Sequence, residues 1–313
     1  MWEIKQGDAL NVLRTMPAQS INTCVTSPPY WGLRDYGIDG QLGLEPTPEE
    51  YVANLVEVFR EVRRVLRDDG TLWLNLGDTY AGSWGSASHD INDKARRTGT
   101  NQRPPTSYKQ KGLKPKDLVG IPWRVAFALQ ADGWYLRSDI IWHKPNPMPE
   151  SVTDRPTKAH EYIFLLSKSQ KYYYDADSIK EPSSDLEKSK KRYEKPFGGK
   201  KAEELLKTDQ VHTRIIGMRE FDGKRNKRTV WTVPTQPFPE AHFAVYPPAL
   251  ITPCILAGCP VGGTVLDPFA GSGTTLLVAT QHHRKSIGIE LNPEYIEIAK
   301  RRLNSVQLKL VME

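Results

Sequence analysis

The chain of 313 residues carries 43 Lys and Arg against 37 Asp and Glu, which gives a formal net charge of +6 at pH 7. This length is enough for one large domain or two modest ones with a real hydrophobic core. The absence of an apolar run of about 18 residues argues against a membrane span, and early charges argue against a signal peptide. Three cysteines match neither a disulfide framework nor a set of zinc ligands, so we expect a cytoplasmic protein without a bound metal.

The positive charge is concentrated in two segments that contain few apolar residues. Residues 82–116 carry eight Lys and Arg against two Asp, and residues 180–229 carry fifteen against nine Asp and Glu. Because the whole chain has a net charge of only +6, the remainder is acidic. An acidic body with basic segments is typical of enzymes that bind nucleic acid, and solvated surface loops are the alternative explanation.

The first part of the chain predicts a strand, a helix and a strand, followed by a long helix. Residues 2–15 predict a short strand and a short helix, and residues 21–27 predict a second strand. The long helix begins after Thr47, a good N-cap that is followed by a proline. Apolar residues recur on one face of this helix, and Gly70 is its predicted end. A buried strand is predicted over residues 71–78.

The rest of the chain alternates between helices and strands after an irregular stretch. Residues 82–116 lack periodicity and predict a mobile basic loop. Beyond it we predict a helix over 121–133, strands over 135–144 and 161–168, a helix over 246–258, a strand over 264–266, a helix from 274, a strand over 285–290 and a final helix. This alternation predicts an α/β fold with a doubly wound, mostly parallel sheet.

The sequence Thr-Val-Leu-Asp-Pro-Phe-Ala-Gly-Ser-Gly-Thr-Thr, residues 264–275, indicates a ligand site. A strand ends at Asp267, a glycine turn follows, and the next strand ends at Glu290. Ligands of open α/β sheets bind beyond such strand ends, and an acidic residue at the second strand commonly binds a ribose diol. Since the turn lacks the Gly-Lys-Ser/Thr of a triphosphate site, we predict an adenosine-containing ligand without a phosphate chain. Asp267 would suit a ligand that carries positive charge.

The sequence Ser-Pro-Pro-Tyr-Trp, residues 27–31, indicates a second site. The two prolines cannot continue the preceding strand, so they predict a rigid turn that presents Ser27, Tyr30 and Trp31. Such a turn suits a flat polar ligand, and an ordinary loop with a buried tyrosine is the alternative.

Together and in this order, the two motifs resemble those of DNA methyltransferases that modify exocyclic amino groups with S-adenosylmethionine, in the permuted β group. The resemblance implies a circularly permuted Rossmann-like methyltransferase domain formed by residues 1–81, 117–179 and 230–313. Residues 180–229 are then the candidate target-recognition region. Double-stranded DNA is the implied partner, and a cognate restriction endonuclease and a homodimer are further expectations.

The resemblance also assigns roles to individual residues. The catalytic tetrapeptide is Ser27, Pro28, Pro29 and Tyr30. The cofactor-binding residues are Asp8, Asp267, Phe269, Gly271, Ser272, Gly273, Thr274, Thr275 and Glu290, with Asp8 near the adenine and Glu290 at the ribose. In the candidate target-recognition region we expect Arg219 to contact guanine edges, and Lys224, Arg225, Lys227 and Arg228 to contact phosphates.

The chemistry explains why these residue types are needed. An exocyclic amine is a poor nucleophile because its lone pair is delocalised into the ring. Hydrogen bonds accepted by Ser27 Oγ and the Pro28 carbonyl favour a more pyramidal nitrogen that attacks the methyl group in line. The base has to leave the duplex, and Tyr30 offers an aromatic face to receive it. In this family Ser at the position of Ser27 usually accompanies cytosine N4 methylation, whereas Asp or Asn usually accompanies adenine N6 methylation, which is the alternative.

Three other interpretations stay open at this point. Carbon-5 cytosine methylation needs a nucleophilic cysteine next to proline, and Cys254 follows Pro253, although core packing explains it better. Enzymes that methylate RNA or a protein glutamine can share the Pro-Pro-Tyr turn. A non-catalytic DNA-binding module is the alternative outside the enzymes.

Overall fold

The computed structural model describes residues 1–33, 38, 40–81, 113–187, 222–236 and 246–312, with side chains through residue 306. Most of the predicted mobile loop over 82–116, and Arg219, lie outside these residues. The chain divides into two compact units, Met1–Asp175 with Thr229–Glu313 and Ala176–Arg228. Among the described residues, no helix has both the length and the apolar character that a bilayer requires.

The elements of the described chain follow the predicted alternation. The strands are β1 (Trp2–Gln6), β2 (Ile21–Thr26), β3 (Leu66–Leu76), β4 (Tyr135–His143), β5 (His160–Ser167), β6 (Glu181–Pro182), β7 (Lys224–Arg225), β8 (Val230–Thr232), β9 (Thr264–Asp267) and β10 (Lys285–Glu290). The helices are α1 (Ala9–Thr15), α2 (Pro48–Val65), α3 (Ile121–Ala131), α4 (Pro248–Gly258), α5 (Thr274–Gln281) and α6 (Pro293–Met312).

The first unit is built on a sheet with the strand order β1-β10-β9-β2-β3-β5-β4-β8. Strand β5 runs antiparallel to its neighbours β3 and β4, and the other neighbouring pairs are parallel. Strand β2 and residues 70–76 of β3 are buried almost throughout, as expected for parallel strands with both faces covered. The prediction of a mostly parallel sheet is confirmed.

Two helical layers cover the sheet. Leu72 and Leu74 of β3 belong to a buried cluster that also contains residues of α1, α2 and α3. Trp73, which lies between them, faces Gly258 of α4 on the opposite side. Because successive side chains of a strand point to opposite faces, the two layers lie on opposite sides of the sheet, and the fold is doubly wound.

In helix α2, the local sequence signal predicts the start of the helix correctly but not its end. The Thr47 hydroxyl accepts a hydrogen bond from the amide of Glu50 at 3.1 Å, so the predicted N-cap is confirmed. The predicted end at Gly70 is wrong, because the helix ends at Val65 and Gly70 lies in β3. Leu66 is fully buried and pairs with Ile21 of β2, so pairing with the sheet ends the helix before the glycine.

The topology brings distant parts of the chain to one edge of the sheet. The neighbouring parallel strands β1, β10, β9, β2 and β3 all end at this edge. Strand β4 is parallel to them and ends there too, whereas the antiparallel β5 begins there. Ligand sites of open α/β sheets form beyond this edge.

Candidate active site

A cavity of about 850 Å³ lies at the carboxyl edge of the sheet. This volume is in the upper part of the range of about 300–1,000 Å³ that is typical of small-molecule sites. Predicted site residues that line it are Asp8, Ser27, Pro28, Pro29, Tyr30, Phe269, Gly271, Ser272, Thr274 and Glu290. The two predicted motifs therefore meet in one cavity, although they lie more than 200 residues apart in the sequence.

The glycine turn between β9 and α5 depends on left-handed backbone and on close packing. Gly271 and Gly273 have φ values of 51° and 77°, which favour glycine. A Cβ atom on Gly273 would lie 2.9 Å from the Cβ of Ala299 in α6, so the turn has no room for a side chain. The Gly271 amide donates to Glu290 Oε2 at 2.8 Å, which joins the turn to the end of β10.

Asp267 lies beneath the turn, and only 1% of its surface is exposed. Its Oδ1 accepts hydrogen bonds from the hydroxyl of Thr26 at 2.6 Å and the amide of Phe269 at 3.1 Å. Its Oδ2 accepts from the hydroxyls of Tyr246 at 3.2 Å and Thr275 at 2.5 Å. Burial raises the pKa of Asp267, and these four donors oppose the rise. The carboxylate therefore joins β2, the turn, the residue Tyr246 that precedes α4, and the first turn of α5 beneath the cavity.

Two other carboxylates line the cavity on the side of β1 and β10. Glu290 accepts hydrogen bonds from the amides of Gly271 and Asn292, each at 2.8 Å. Burial raises the pKa of Glu290, and the two amides oppose the rise. Asp8 caps α1 by accepting from the Asn11 amide at 2.9 Å. Two fixed acceptors beside Phe269 and Tyr295 suit the hydroxyl and amino groups of an adenosine, so these residues fit S-adenosylmethionine.

The Ser-Pro-Pro-Tyr turn is fixed by contacts beyond its prolines. The hydroxyl of Tyr51 in α2 donates to the Pro29 carbonyl at 2.8 Å. The indole nitrogen of the buried Trp31 donates to the Glu45 carbonyl at 2.9 Å. The ring of Tyr30 packs so closely on Gly77 that a Cβ atom there would lie 2.5 Å from the ring. The turn therefore has a defined position relative to the ends of β2 and β3.

A chain of hydrogen bonds leads from the turn into the half of the cavity near β4 and β5. The Ser27 hydroxyl donates to the Tyr30 hydroxyl oxygen at 3.3 Å. Tyr30 donates to Glu161 Oε2 at 2.7 Å and lies 3.1 Å from Asn75 Oδ1. The other Glu161 oxygen forms a close ion pair with Lys144. Burial raises the pKa of Tyr30 well above its usual value, and the charge of Glu161 raises it further.

Sequence reasoning named none of the side chains of this second half as site residues. Asn75, Lys144, Lys158 and Glu161 line the cavity together with the predicted turn. Asn75 is a buried polar residue between the apolar residues Leu74 and Leu76, and this was the available signal. Burial lowers the pKa of Lys158, whose ammonium donates to the Asp78 carbonyl at 3.1 Å. Nothing local to the sequence shows that these side chains converge, because strand order brings them together.

The remaining predicted residues lie away from the cavity. Gly273 and Thr275 lie behind the turn, where Gly273 contacts α6 and Thr275 contacts Asp267. Cys254 is fully buried in α4, with its thiol 3.9 Å from the Leu250 carbonyl. Since Cys254 does not line the cavity, the structure offers no nucleophile for the carbon-5 mechanism there. No cluster of metal-ligating side chains occurs among the described residues.

The predicted phosphate contacts lie in the second unit. Arg225 and Arg228 both donate to Glu181 Oε1, at 2.9 and 2.6 Å. Lys224 follows Gly223 and has an exposed side chain, while Lys227 is partly buried.

Comparison with known proteins gives the family. The family model described as DNA methylase, N6_N4_Mtase, matches residues 21–301. The chain therefore belongs to the amino-methylating N6/N4 family of DNA methyltransferases.

Relatives along almost the whole chain agree with this assignment. The Type II methyltransferase M.SmaI of Serratia marcescens is 51% identical over 297 residues, which is 95% of this chain and 89% of the relative. The Type II methyltransferase M.Cfr9I of Citrobacter freundii is 50% identical over 98% of this chain and 89% of its own length.

Solved structures show the same fold. The Thermus thermophilus protein TTHA0409, solved in complex with S-adenosyl-L-methionine, is 25% identical with a TM-score of 0.59, over 98% of this chain and 96% of its own. The PvuII DNA methyltransferase, described as cytosine-N4-specific, is 20% identical with a TM-score of 0.62, over 96% of this chain and 86% of its own. The protein is thus an S-adenosylmethionine-dependent DNA methyltransferase, and the predicted cofactor and enzyme class are confirmed.

Proposed function

We propose that this methyltransferase modifies the exocyclic N4 amine of a cytosine that has left the duplex, and that Ser27 accepts a hydrogen bond from that amine. The observation that carries the proposal is the position of Ser27. It lies at the carboxyl end of β2, between the half of the cavity formed by Asp8, Phe269 and Glu290 and the half formed by Lys144 and Glu161.

The hydrogen bonding of Ser27 supports its role as an acceptor. Its hydroxyl proton is directed at Tyr30, so its lone pairs remain for the amine of the base. Withdrawing density along the amine N–H bonds leaves the nitrogen a better nucleophile. S-adenosylmethionine supplies an electrophilic methyl group on a positively charged sulfur. The residues of the chain then need only hold the two reactants in line, which is a large part of the rate enhancement.

The ring of Tyr30 is placed to contact a base that enters the cavity. It lines the cavity while its back packs on Gly77 and its hydroxyl is held by Glu161. An aromatic side chain that is fixed in this way offers a rigid stacking surface for an extruded base. Trp142 and Met148 line the same half of the cavity and add apolar surface.

Adenine N6 methylation is the competing assignment. Both bases present an exocyclic amine, so the same turn and cofactor half would serve either. Ser27, rather than Asp or Asn, at the first position of the tetrapeptide favours cytosine. The Type II relatives also support the expectation of a restriction endonuclease that acts on the same DNA sequence.

The base is identified by its product. The protein is incubated with unmethylated bacterial DNA and S-adenosylmethionine, the DNA is digested to nucleosides, and the products are resolved by mass spectrometry. We expect N4-methylcytosine. N6-methyladenine would overturn the base assignment while leaving the family, the cofactor and the turn in place.

A Ser27→Ala variant tests the acceptor role. We expect its single-turnover methylation rate to fall about 100-fold while its fold and its affinity for S-adenosylmethionine are kept, since a single catalytic hydrogen-bonding group contributes about this much. A variant with the full rate would show that the hydroxyl is not the acceptor.

A further inference from the structure

In the chain of hydrogen bonds behind Ser27, the donor and the acceptor of each bond are fixed. Lys144 is an obligate donor, and it occupies Glu161 Oε1. The amide nitrogen of Asn75 donates to Glu161 Oε2 at 3.2 Å, and its second hydrogen bond, to the Tyr162 carbonyl at 3.0 Å, fixes the orientation of this amide. Glu161 therefore has donors on both oxygens, and only an acceptor with two oxygens fits its position.

The acceptor role of Glu161 determines which groups donate at Tyr30 and at Ser27 of the catalytic turn. Because Glu161 can only accept, the Tyr30 hydroxyl donates to it, at 2.7 Å. Tyr30 then accepts from Ser27 at 3.3 Å, so the Ser27 proton is directed at Tyr30 and the Ser27 lone pairs stay available. The carboxylate thus fixes the orientation of a hydroxyl that lies two hydrogen bonds away. The same hydrogen bonds form a path for a proton from the reacting amine, through Ser27 and Tyr30, to the Glu161 carboxylate.

We propose that Glu161 is the positioning residue that keeps Ser27 an acceptor, and that it takes up the proton released by the target amine. The inference rests on the proposed role of Ser27. As the amine nitrogen bonds to the methyl carbon and the bond from that carbon to sulfur breaks, the nitrogen gives up one proton to Ser27 Oγ. The Ser27 proton moves to Tyr30 Oη, and the Tyr30 proton moves to Glu161 Oε2. The base leaves neutral, and Glu161 returns its proton to water once the product has left.

Lys144 has a supporting role in this arrangement. Its ammonium lies 4.3 Å from the centroid of the Trp142 ring as well as beside Glu161, so it is held on two sides. The side chains of Lys144 and Glu161 are only 19% and 15% exposed, so bulk water screens the pair weakly. The ammonium balances the carboxylate charge without donating to Ser27 or Tyr30.

Glu161→Gln is the informative substitution, because it keeps the size of the side chain. Lys144 would hold the amide oxygen and turn the amide nitrogen towards Tyr30 and Asn75. The amide nitrogen is a hydrogen-bond donor, and it would face two groups that donate to the carboxylate in the wild-type protein. Tyr30 would then accept from this amide and could donate only to Asn75 Oδ1, at 3.1 Å, so the carboxylate that takes up the proton would be missing from the end of the chain. We expect the single-turnover methylation rate to fall about 100-fold, within the range of a lost acid–base group. The equilibrium affinities for duplex DNA and S-adenosylmethionine should change less than about threefold, since the change acts on the transition state.

The control is Asp132→Asn, which removes a carboxylate that is about as shielded from solvent as that of Glu161 but lies outside the cavity. The Asp132 side chain is 14% exposed and pairs with Arg60, at the end of α3 and away from the cavity. This variant should keep the wild-type rate. Thermal unfolding of both variants shows whether a change in rate reflects a loss of fold.

The second variant, Tyr30→Phe, keeps the ring and removes the link between Ser27 and Glu161. We expect it to lose as much rate as Glu161→Gln, and the double variant to be no slower than either single one, because the two changes break the same chain. Additive losses would show that Glu161 acts independently of Tyr30 and would overturn the inference.

The outcomes separate this inference from the proposed function. If Glu161→Gln or Tyr30→Phe keeps the rate while Ser27→Ala loses it, the role of Glu161 is wrong and the role of Ser27 stands. If Glu161→Gln lowers only the affinity for DNA, Glu161 is a binding residue and the inference is again wrong. If Ser27→Ala keeps the rate, the proposed function itself fails at the acceptor.

Discussion

Gly77 is the residue whose small size matters most to the catalytic turn. It follows β3, and the Tyr30 ring occupies the space in which a side chain would lie, with ring atoms 2.5 and 2.8 Å from a Cβ atom. The Tyr30 hydroxyl is at the same time held by Glu161. The Tyr30 ring therefore packs against Gly77 on one face and is held by Glu161 at its hydroxyl. A methyl group at position 77 would disturb both contacts.

We predict that Gly77→Ala lowers the single-turnover methylation rate about 100-fold, because a displacement of about 1 Å in a catalytic group costs this much. Its affinity for S-adenosylmethionine should be unchanged, since Asp8 and Glu290 lie on the other side of the cavity. The control is Gly262→Ala, where a Cβ atom meets nothing within 4 Å although φ is 76°. That variant should lose some stability and keep its rate. A Gly77→Ala enzyme with the wild-type rate would mean that the position of Tyr30 is not critical.

At the scale of elements, Asp267 connects the parts that form the floor of the cavity. Its four donors come from the end of β2, the turn, the residue Tyr246 before α4, and the first turn of α5. Its side chain does not line the cavity. This buried carboxylate therefore acts on the ligand through the elements that it holds.

We predict that Asp267→Ala lowers the free energy of unfolding by about 3 kcal/mol, because it leaves several buried donors without an acceptor. The affinity for S-adenosylmethionine should fall as well, as the turn loses its support. Urea unfolding and calorimetry measure the two effects. Tyr246→Phe removes one of the four donors and should cost only about 1 kcal/mol. A stable Asp267→Ala variant, or one with full affinity for the cofactor, would contradict this account.

The elements were predictable from the sequence wherever the signal is local. The strands that end at Thr26, Asp267 and Glu290 are short apolar runs ended by proline, a glycine turn or an acidic residue, and all were found. The end of α2 was missed because Leu66 is taken into the sheet by pairing with Ile21, a contact that no local pattern reports.

The candidate site also divides into a half that local sequence motifs predict and a half that they do not. The half around Asp8, Phe269 and Glu290 was predictable because its residues belong to contiguous motifs at strand ends. The half formed by Asn75, Lys144 and Glu161 was not predictable, because it exists only through the order β3-β5-β4. The antiparallel direction of β5 matters most, since it brings the first residues of that strand to the edge where the other strands end.

At the scale of the whole molecule, we expect the distribution of positive charge to guide how the protein contacts DNA. In the second unit, the Glu181 carboxylate is shared by Arg225 and Arg228, so this cluster keeps a net positive charge. Lys180 pairs with Asp177 and Asp222, whereas the Lys224 side chain is exposed beside this cluster on β7. The arrangement fits contact with phosphates, which depends on charge and carries no sequence information.

We predict that Lys224→Gln weakens binding to cognate and scrambled duplexes alike, and that it lowers the slope of log affinity against log salt concentration by about 1, because one fewer counterion is released. Binding is measured by titration over a range of salt concentrations. The control is Lys285→Gln, which removes an exposed lysine at the first residue of β10, on the edge of the sheet opposite the cavity. That variant should bind with the wild-type slope. Loss of affinity for the cognate duplex alone would show that Lys224 reads base edges rather than phosphates, because a phosphate contact is insensitive to sequence.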